Sequence, residues 1–154
     1  MNNLIFRPAT LSELDILKDF EQGVISAERP FDSTLKPGSI TYYDLRELIQ
    51  SSESEIIVAI CNDQVIASSY VKIFAAKPYL KHDFYAYLGF MYVKPEFRGK
   101  GVNKKIIAEI KNWCTKKKIY ELRLDVYSNN APAIKAYEKA GFKNNLVNMR
   151  MAIE

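Results

Sequence analysis

Metal-ligating residues are scarce in this chain. It holds a single histidine, His82, and two cysteines, Cys61 and Cys114. The cysteines lie far apart and have no partner at metal-binding spacing, so neither a zinc site nor a disulfide framework is expected. Glycine and proline number only 6 each, and no low-complexity tract or internal repeat is visible. Long apolar runs are missing too: no window approaches the ~20 residues of a membrane span. The opening "MNNLIFRPAT" has a brief apolar stretch that arginine interrupts, which does not read as a signal peptide. The expected setting is reducing and cytoplasmic, without a membrane partner. Neither charge dominates. Lys plus Arg is 22 and Asp plus Glu is 18, a net charge of +4. That balance is compatible with an anionic ligand but too small to imply nucleic acid.

What is present is enough for one domain over residues 1–154, with 48% apolar residues to fill a core. Residues 3–7 read as a short strand that Pro8 ends. Thr10 or Ser12 can cap a following helix whose apolar stripe is Leu11, Leu14, Ile16, Leu17 and Phe20. Residues 28–41 read as a loop, and a short helix is expected from about Tyr43 to Gln50. "EIIVAI" at 55–60 and "VIASSYVKIFAA" at 65–76 flank the turn "NDQ", as a hairpin does. "FYAYLGFMYV" at 84–93 suits a strand buried on both faces. A helix is expected from about 101, a strand at 120–127, a helix at 131–141 stopped by Gly141, and a last strand at 146–153. This order combines an antiparallel meander with one β-α-β crossover, a mixed α/β (α+β) arrangement.

The segment "FRGKGVNKK" at 97–105 joins the central strand to the helix after it. Glycines there let the backbone curl with its N–H groups inward, and a helix N-terminus adds partial positive charge. Arg98, Lys100, Lys104 and Lys105 add full charges. The segment therefore reads as a site for phosphate, with pyrophosphate favoured, or else as a glycine turn with solvated lysines. It is not a Walker loop, because Gly101 stands where Ser or Thr is required. Nor is it a dinucleotide fingerprint, because Lys104 replaces the third glycine.

A second segment, "NNAPAIKAYEKAGF", follows in order. Together the two resemble the GNAT family of acetyl-CoA-dependent N-acetyltransferases. Arg98-Gly99-Lys100-Gly101-Val102-Asn103 matches that family's phosphate loop except at Asn103, where a small residue is usual. Asn130, Ala133, Tyr137, Glu138, Lys139, Gly141 and Phe142 match its later signature. The opening "FRPATLSELDIL" looks like its first strand and helix. The resemblance implies a mixed, mostly antiparallel sheet of about six to seven strands with a splayed parallel pair and about four helices.

It also implies acetyl-CoA as cosubstrate, with no metal. Backbone groups of Met91, Tyr92 and Val93 would meet the pantetheine arm, residues 98–103 the pyrophosphate, and Asn130 the pantetheine. Tyr137 matches the tyrosine that protonates the departing thiolate. The strand carboxylate that many relatives carry has no counterpart in Leu88-Gly89-Phe90. Asp125, five residues before Asn130, matches the alternative base of relatives that acetylate protein N-termini. Asp125 also reads as a solvated or Arg123-paired carboxylate on a polar strand face, with water relayed to Glu121 or a tyrosine as the substitute base. Phe31, Tyr42 and Tyr43, with Glu28, Asp32 and Asp44, are candidates to surround a cationic acceptor. That acceptor would be a small amine, a peptide N-terminus or a lysine, and a homodimer is compatible with the family's habit. The expected activity is direct N-acetyl transfer. The alternative is a non-catalytic acyl-CoA-binding module, which the absent carboxylate and Asn103 motivate.

Overall fold

A computed structural model describes residues 3–154. The strands are β1 (Ile5–Pro8), β2 (Ser54–Cys61), β3 (Gln64–Ala75), β4 (Phe84–Val93) and β5 (Leu122–Arg123). The helices are α1 (Leu14–Glu28), α2 (Leu45–Gln50), α3 (Val102–Lys116) and α4 (Ala131–Lys139). The sheet follows chain order from β1 to β5. Pairs β1–β2, β2–β3 and β3–β4 are antiparallel, and β4–β5 is parallel.

Helices cover both faces of this sheet, which explains why β2 reads as a continuous apolar run rather than an alternating one. Ile56, Val58 and Ile60 point toward α1 and α2, among Leu17, Phe20, Val24, Leu45 and Leu48. Ile57, Ala59 and Cys61 point the other way, among Ile106, Ile107, Ile110 and Cys114 of α3. The β2–β3 turn takes positive φ at Asn62 (49°) and Asp63 (63°), the hand that matches strand twist in a tight hairpin.

Two expectations change. The strand expected at 120–127 pairs with β4 only through Leu122 opposite Ala86 and Arg123 opposite Tyr87. The strand expected at 146–153 joins no ladder, so the sheet has five strands among the described residues. Its sequence alternates as a strand should, but a ladder needs a neighbouring edge, and every residue from 143 to 154 is exposed.

Candidate active site

The parting of β4 from β5 shapes the site. After Tyr87, β4 runs on to Val93 without β5 beside it. A bulge marks this point. The β3–β4 register shifts between Ser68 and Tyr70, and Phe90 takes a φ of 58°. Ser69 donates its hydroxyl to the Gly89 carbonyl at 2.8 Å, which fixes the irregular backbone. Gly89 is a glycine for a steric reason: a Cβ there would lie 2.5 Å from Cζ of Tyr70. The tyrosine ring thus fills the place where a carboxylate at residue 89 would stand.

At the far end of β4, a turn at Pro95–Phe97 leads into the glycine loop. Gly99 and Gly101 have φ of 73° and 80°, and α3 starts directly after. The first helical N–H to reach back belongs to Lys105, which donates to the Gly101 carbonyl at 3.2 Å. The N–H groups of Val102, Asn103 and Lys104 precede it and lack intrahelical acceptors. Nothing lies within 4 Å of where a Cβ at residue 99 or 101 would stand, so the loop is open to an approaching group.

Arg98 is folded back rather than reaching outward. Its Nε donates to the Val93 carbonyl at 2.8 Å, and its guanidinium sits 5.6 Å from the Tyr92 ring centroid. It therefore ties the loop to the end of β4. Lys100, Lys104 and Lys105 stay exposed around the loop. Asn103 Oδ1 is buried and has no hydrogen-bond partner among the described residues. A free acceptor does not attract phosphate, so the loop's fit to an anion rests on its backbone N–H groups and lysines.

Tyr137, on α4, packs against the core beneath α3 and meets Phe142 edge-on, with ring centroids 5.8 Å apart. Burial pushes its phenol up to about 12, and the charge of Glu28 adds to the shift. Asn130 caps α4, its Oδ1 accepting from the Ala133 N–H at 3.4 Å.

Glu28 has a larger place than the sequence suggested. It ends α1, and its charge adds to the upward shifts that burial gives the phenols of Tyr42, Tyr43, Tyr127 and Tyr137, which come from three segments of the chain. Partial burial raises its own carboxyl; the nearby Tyr42 hydroxyl offsets part of this, and the Asp32 charge adds to it. The Tyr42 hydroxyl is buried and reaches no partner in bonding geometry among the described residues. The sequence grouped Glu28 with Tyr42 and Tyr43 but gave no signal for Tyr127, whose segment lies roughly 100 residues further along the chain.

The remaining candidates are also placed, Asp44 as the cap of α2, accepting the Glu47 N–H at 3.1 Å. Phe31 stacks on Tyr127 at 6.1 Å, and the Tyr127 hydroxyl donates to Asp32 at 3.1 Å. Tyr43 packs on Tyr70 and Phe90 at 5.5 and 5.1 Å, as part of the core. Glu21, absent from the sequence reading, is 2% exposed. Its carboxylate accepts the N–H groups of Tyr42 and Tyr43 at 2.9 and 2.8 Å, which holds both tyrosines in place. Asp125 is exposed and accepts from the Tyr87 hydroxyl at 3.1 Å. It is not paired with Arg123, which bonds Glu121 instead. A separate open groove of about 670 Å³ lies between α1 and residues 39–46; neither the glycine loop nor Tyr137 lines it.

Comparison with known proteins settles the lineage. The family described as "Acetyltransferase (GNAT) family" matches residues 24–142. The chain belongs to the GNAT acetyltransferases. No curated protein sequence matches it. Solved structures of the same fold include a point mutant of the BH1408 protein from Bacillus halodurans. It is 18% identical, with a TM-score of 0.88, over 97% of this chain and 99% of that one. A predicted acetyltransferase with acetyl-CoA from Clostridium acetobutylicum is 18% identical, with a TM-score of 0.73, over 97% and 96% of the two chains. The aminoglycoside N-acetyltransferase AAC(6')-Iy in complex with CoA is 18% identical, with a TM-score of 0.72, over 97% and 100%. The GNAT fold thus spans nearly the whole chain, with a mixed sheet, a parallel β4–β5 pair and four helices.

Proposed function

We propose that this GNAT protein transfers an acetyl group from acetyl-CoA to a primary amine by direct attack, with no acyl-enzyme. The observation that supports the reading is the opening where β4 outruns β5, with the glycine loop at its end. Acetyl-CoA supplies an activated thioester. The chain supplies the rest. The stretch of β4 at Met91, Tyr92 and Val93, paired with β3 but free on its β5 side, offers backbone groups to an extended amide chain, as a sheet edge does to an added strand. The N–H groups of residues 98–103 and the lysines beside them receive pyrophosphate, and Asn130 contacts the pantetheine. A backbone N–H near Met91 stabilises the developing oxyanion.

Tyr137 donates a hydrogen bond to the departing sulfur. A phenol raised to about 12 holds its proton more tightly than a thiol near 8.5 does, so donation without full transfer is the favoured role. Asp125 takes the amine proton, directly or through water, with the Tyr87 hydroxyl steadying its carboxylate. Phe31, Tyr42 and Tyr43 line the acceptor side, and Glu28 draws the amine in as its ammonium form. Aminoglycosides, the substrates named for two proteins of the same fold, and small polyamines head the acceptor panel, followed by peptide N-termini and lysine.

The test is CoA release, read with a thiol reagent across an amine panel, beside calorimetric titration of acetyl-CoA. Turnover with at least one amine is the expected result. Binding without CoA release on any amine would point to an acyl-CoA-binding module instead, and no binding at millimolar acetyl-CoA would overturn both. Asp125→Asn should lower kcat by about 100-fold while leaving acetyl-CoA affinity intact. Unchanged turnover in that variant removes Asp125 as the base.

A further inference from the structure

Asp32 is a heavily bonded carboxylate on the acceptor side. Its side chain is only 10% exposed. Oδ1 accepts the N–H and the hydroxyl of Thr34, at 3.0 and 2.6 Å, and Oδ2 accepts the Tyr127 hydroxyl at 3.1 Å. A carboxylate so far removed from water calls for a cation as well. The nearest one in sequence, Arg29, bonds the Lys36 and Gly38 carbonyls instead. The cation comes from the far end of the chain. Arg150 places one guanidinium nitrogen on Asp32 Oδ1 and the other on Thr34 Oγ1, at 3.1 Å each.

This pair sits where an acceptor would arrive. Phe31, next to Asp32, stacks on Tyr127, and Tyr127 stands two residues beyond Asp125. One turn of chain, Arg29–Phe31, separates Asp32 from Glu28, and the Asp32 charge is felt at the Glu28 carboxyl. Glu28 has no ion pair among the described residues. The acceptor side thus offers two carboxylates, one open and one already holding a guanidinium of the chain itself. The Arg150 side chain is 60% exposed, and an ion pair with so exposed a cation is weak. Only the guanidinium has to swing away to free Asp32; the backbone that carries it need not move.

We propose that Asp32 is a second cation subsite of the acceptor cleft and that Arg150 fills it until an acceptor binds. Resting on the acetyl-transfer reading, this names the acceptor class: an amine that carries a second cationic group. The reacting amine meets Glu28 and Asp125, while the far ammonium takes the place of Arg150 on Asp32. A monoamine leaves Arg150 where it is and gains nothing from Asp32. The tethered guanidinium competes at an effective concentration on the order of millimolar, so it weakens the binding of dications alone.

The test sets a graded series of α,ω-alkanediamines against the monoamine of equal length, by CoA release and by calorimetric titration into the CoA-bound protein. Arg150→Ala should lower KM and Kd for the favoured diamine about fivefold and leave both unchanged for its monoamine. Arg150→Lys, which keeps a cation, should stay closer to wild type. In an Asp32→Asn background the diamine should lose its advantage, and Arg150→Ala should change nothing further. An Arg150→Ala variant that moves both amines alike, or neither, overturns the subsite. So does an effect that persists without the Asp32 carboxylate, or a wild type that prefers no diamine to its monoamine. The two readings fail separately. Tighter diamine binding in Arg150→Ala with no CoA release from any amine upholds the subsite and sinks the transfer reaction; CoA release with no diamine preference does the reverse.

Discussion

Glu28 ends α1 with its carboxyl partly buried, at a cost to the fold. Its carboxyl sits above the ordinary value, chiefly because burial disfavours the charge. The folded chain therefore binds that proton more tightly than the unfolded chain does. The favourable contribution is complete below the ordinary glutamate pKa and is lost as pH rises through the raised value. Glu28→Gln removes this penalty. Urea unfolding should show the variant gaining stability over wild type at pH 7 and losing that advantage at pH 4. If Glu28 receives the amine, the same variant should raise the acceptor KM while kcat changes less. Tyr137 makes the complementary case. Its phenol, at about 12, stays protonated through the working range, so it adds no limb to a pH–rate profile below about pH 10. Tyr137→Phe should lower kcat by about 100-fold through loss of a donor to the leaving sulfur, with the profile's apparent pKa values unmoved. An unchanged kcat would remove Tyr137 from that role.

Among the elements, the join between β4 and α3 carries the most constraint. Gly101 begins the helix at a φ of 80°, which a side chain resists. Gly101→Ala should cost about 1–2 kcal/mol of stability in denaturant unfolding. It should also weaken acetyl-CoA binding by about tenfold in calorimetry, since the loop's N–H groups would turn away. The loop was legible from sequence because glycines, cations and a helix start are local signals. The folded-back Arg98 was not: its bond to the Val93 carbonyl depends on how the turn at Pro95–Phe97 brings the chain around. Gly89 was visible as an interruption in a strand, but its reason, the Tyr70 ring from β3 lying across it, belongs to the register between strands.

For the whole molecule, ligand binding and folding are linked. If acetyl-CoA binds the folded chain alone, a ligand concentration of about 100 times Kd should add about 2.7 kcal/mol. A domain of this size should then melt about 5–10 °C higher. Gly101→Ala should shrink that shift in a thermal scan, whereas a residue remote from the loop should leave it intact. A wild-type Tm indifferent to acetyl-CoA would count against the cosubstrate.

Most of the elements and the glycine turn were legible in local pattern. Local periodicity decides which residues bury together, and glycine and cap residues punctuate the chain wherever they stand. This is why β2, β3, α3 and the Gly99–Gly101 turn lie where the residue pattern put them. The rest came with the fold. The stacking of Tyr127 on Phe31, the clamp of Glu21 on the Tyr42 and Tyr43 amides, and the shortness of β5 each depend on contacts between distant segments. The apolar alternation at 146–153 shows the boundary most clearly. A period of two says that a segment is fit to be a strand, but the hydrogen bonds that make it one belong to whichever edge lies beside it.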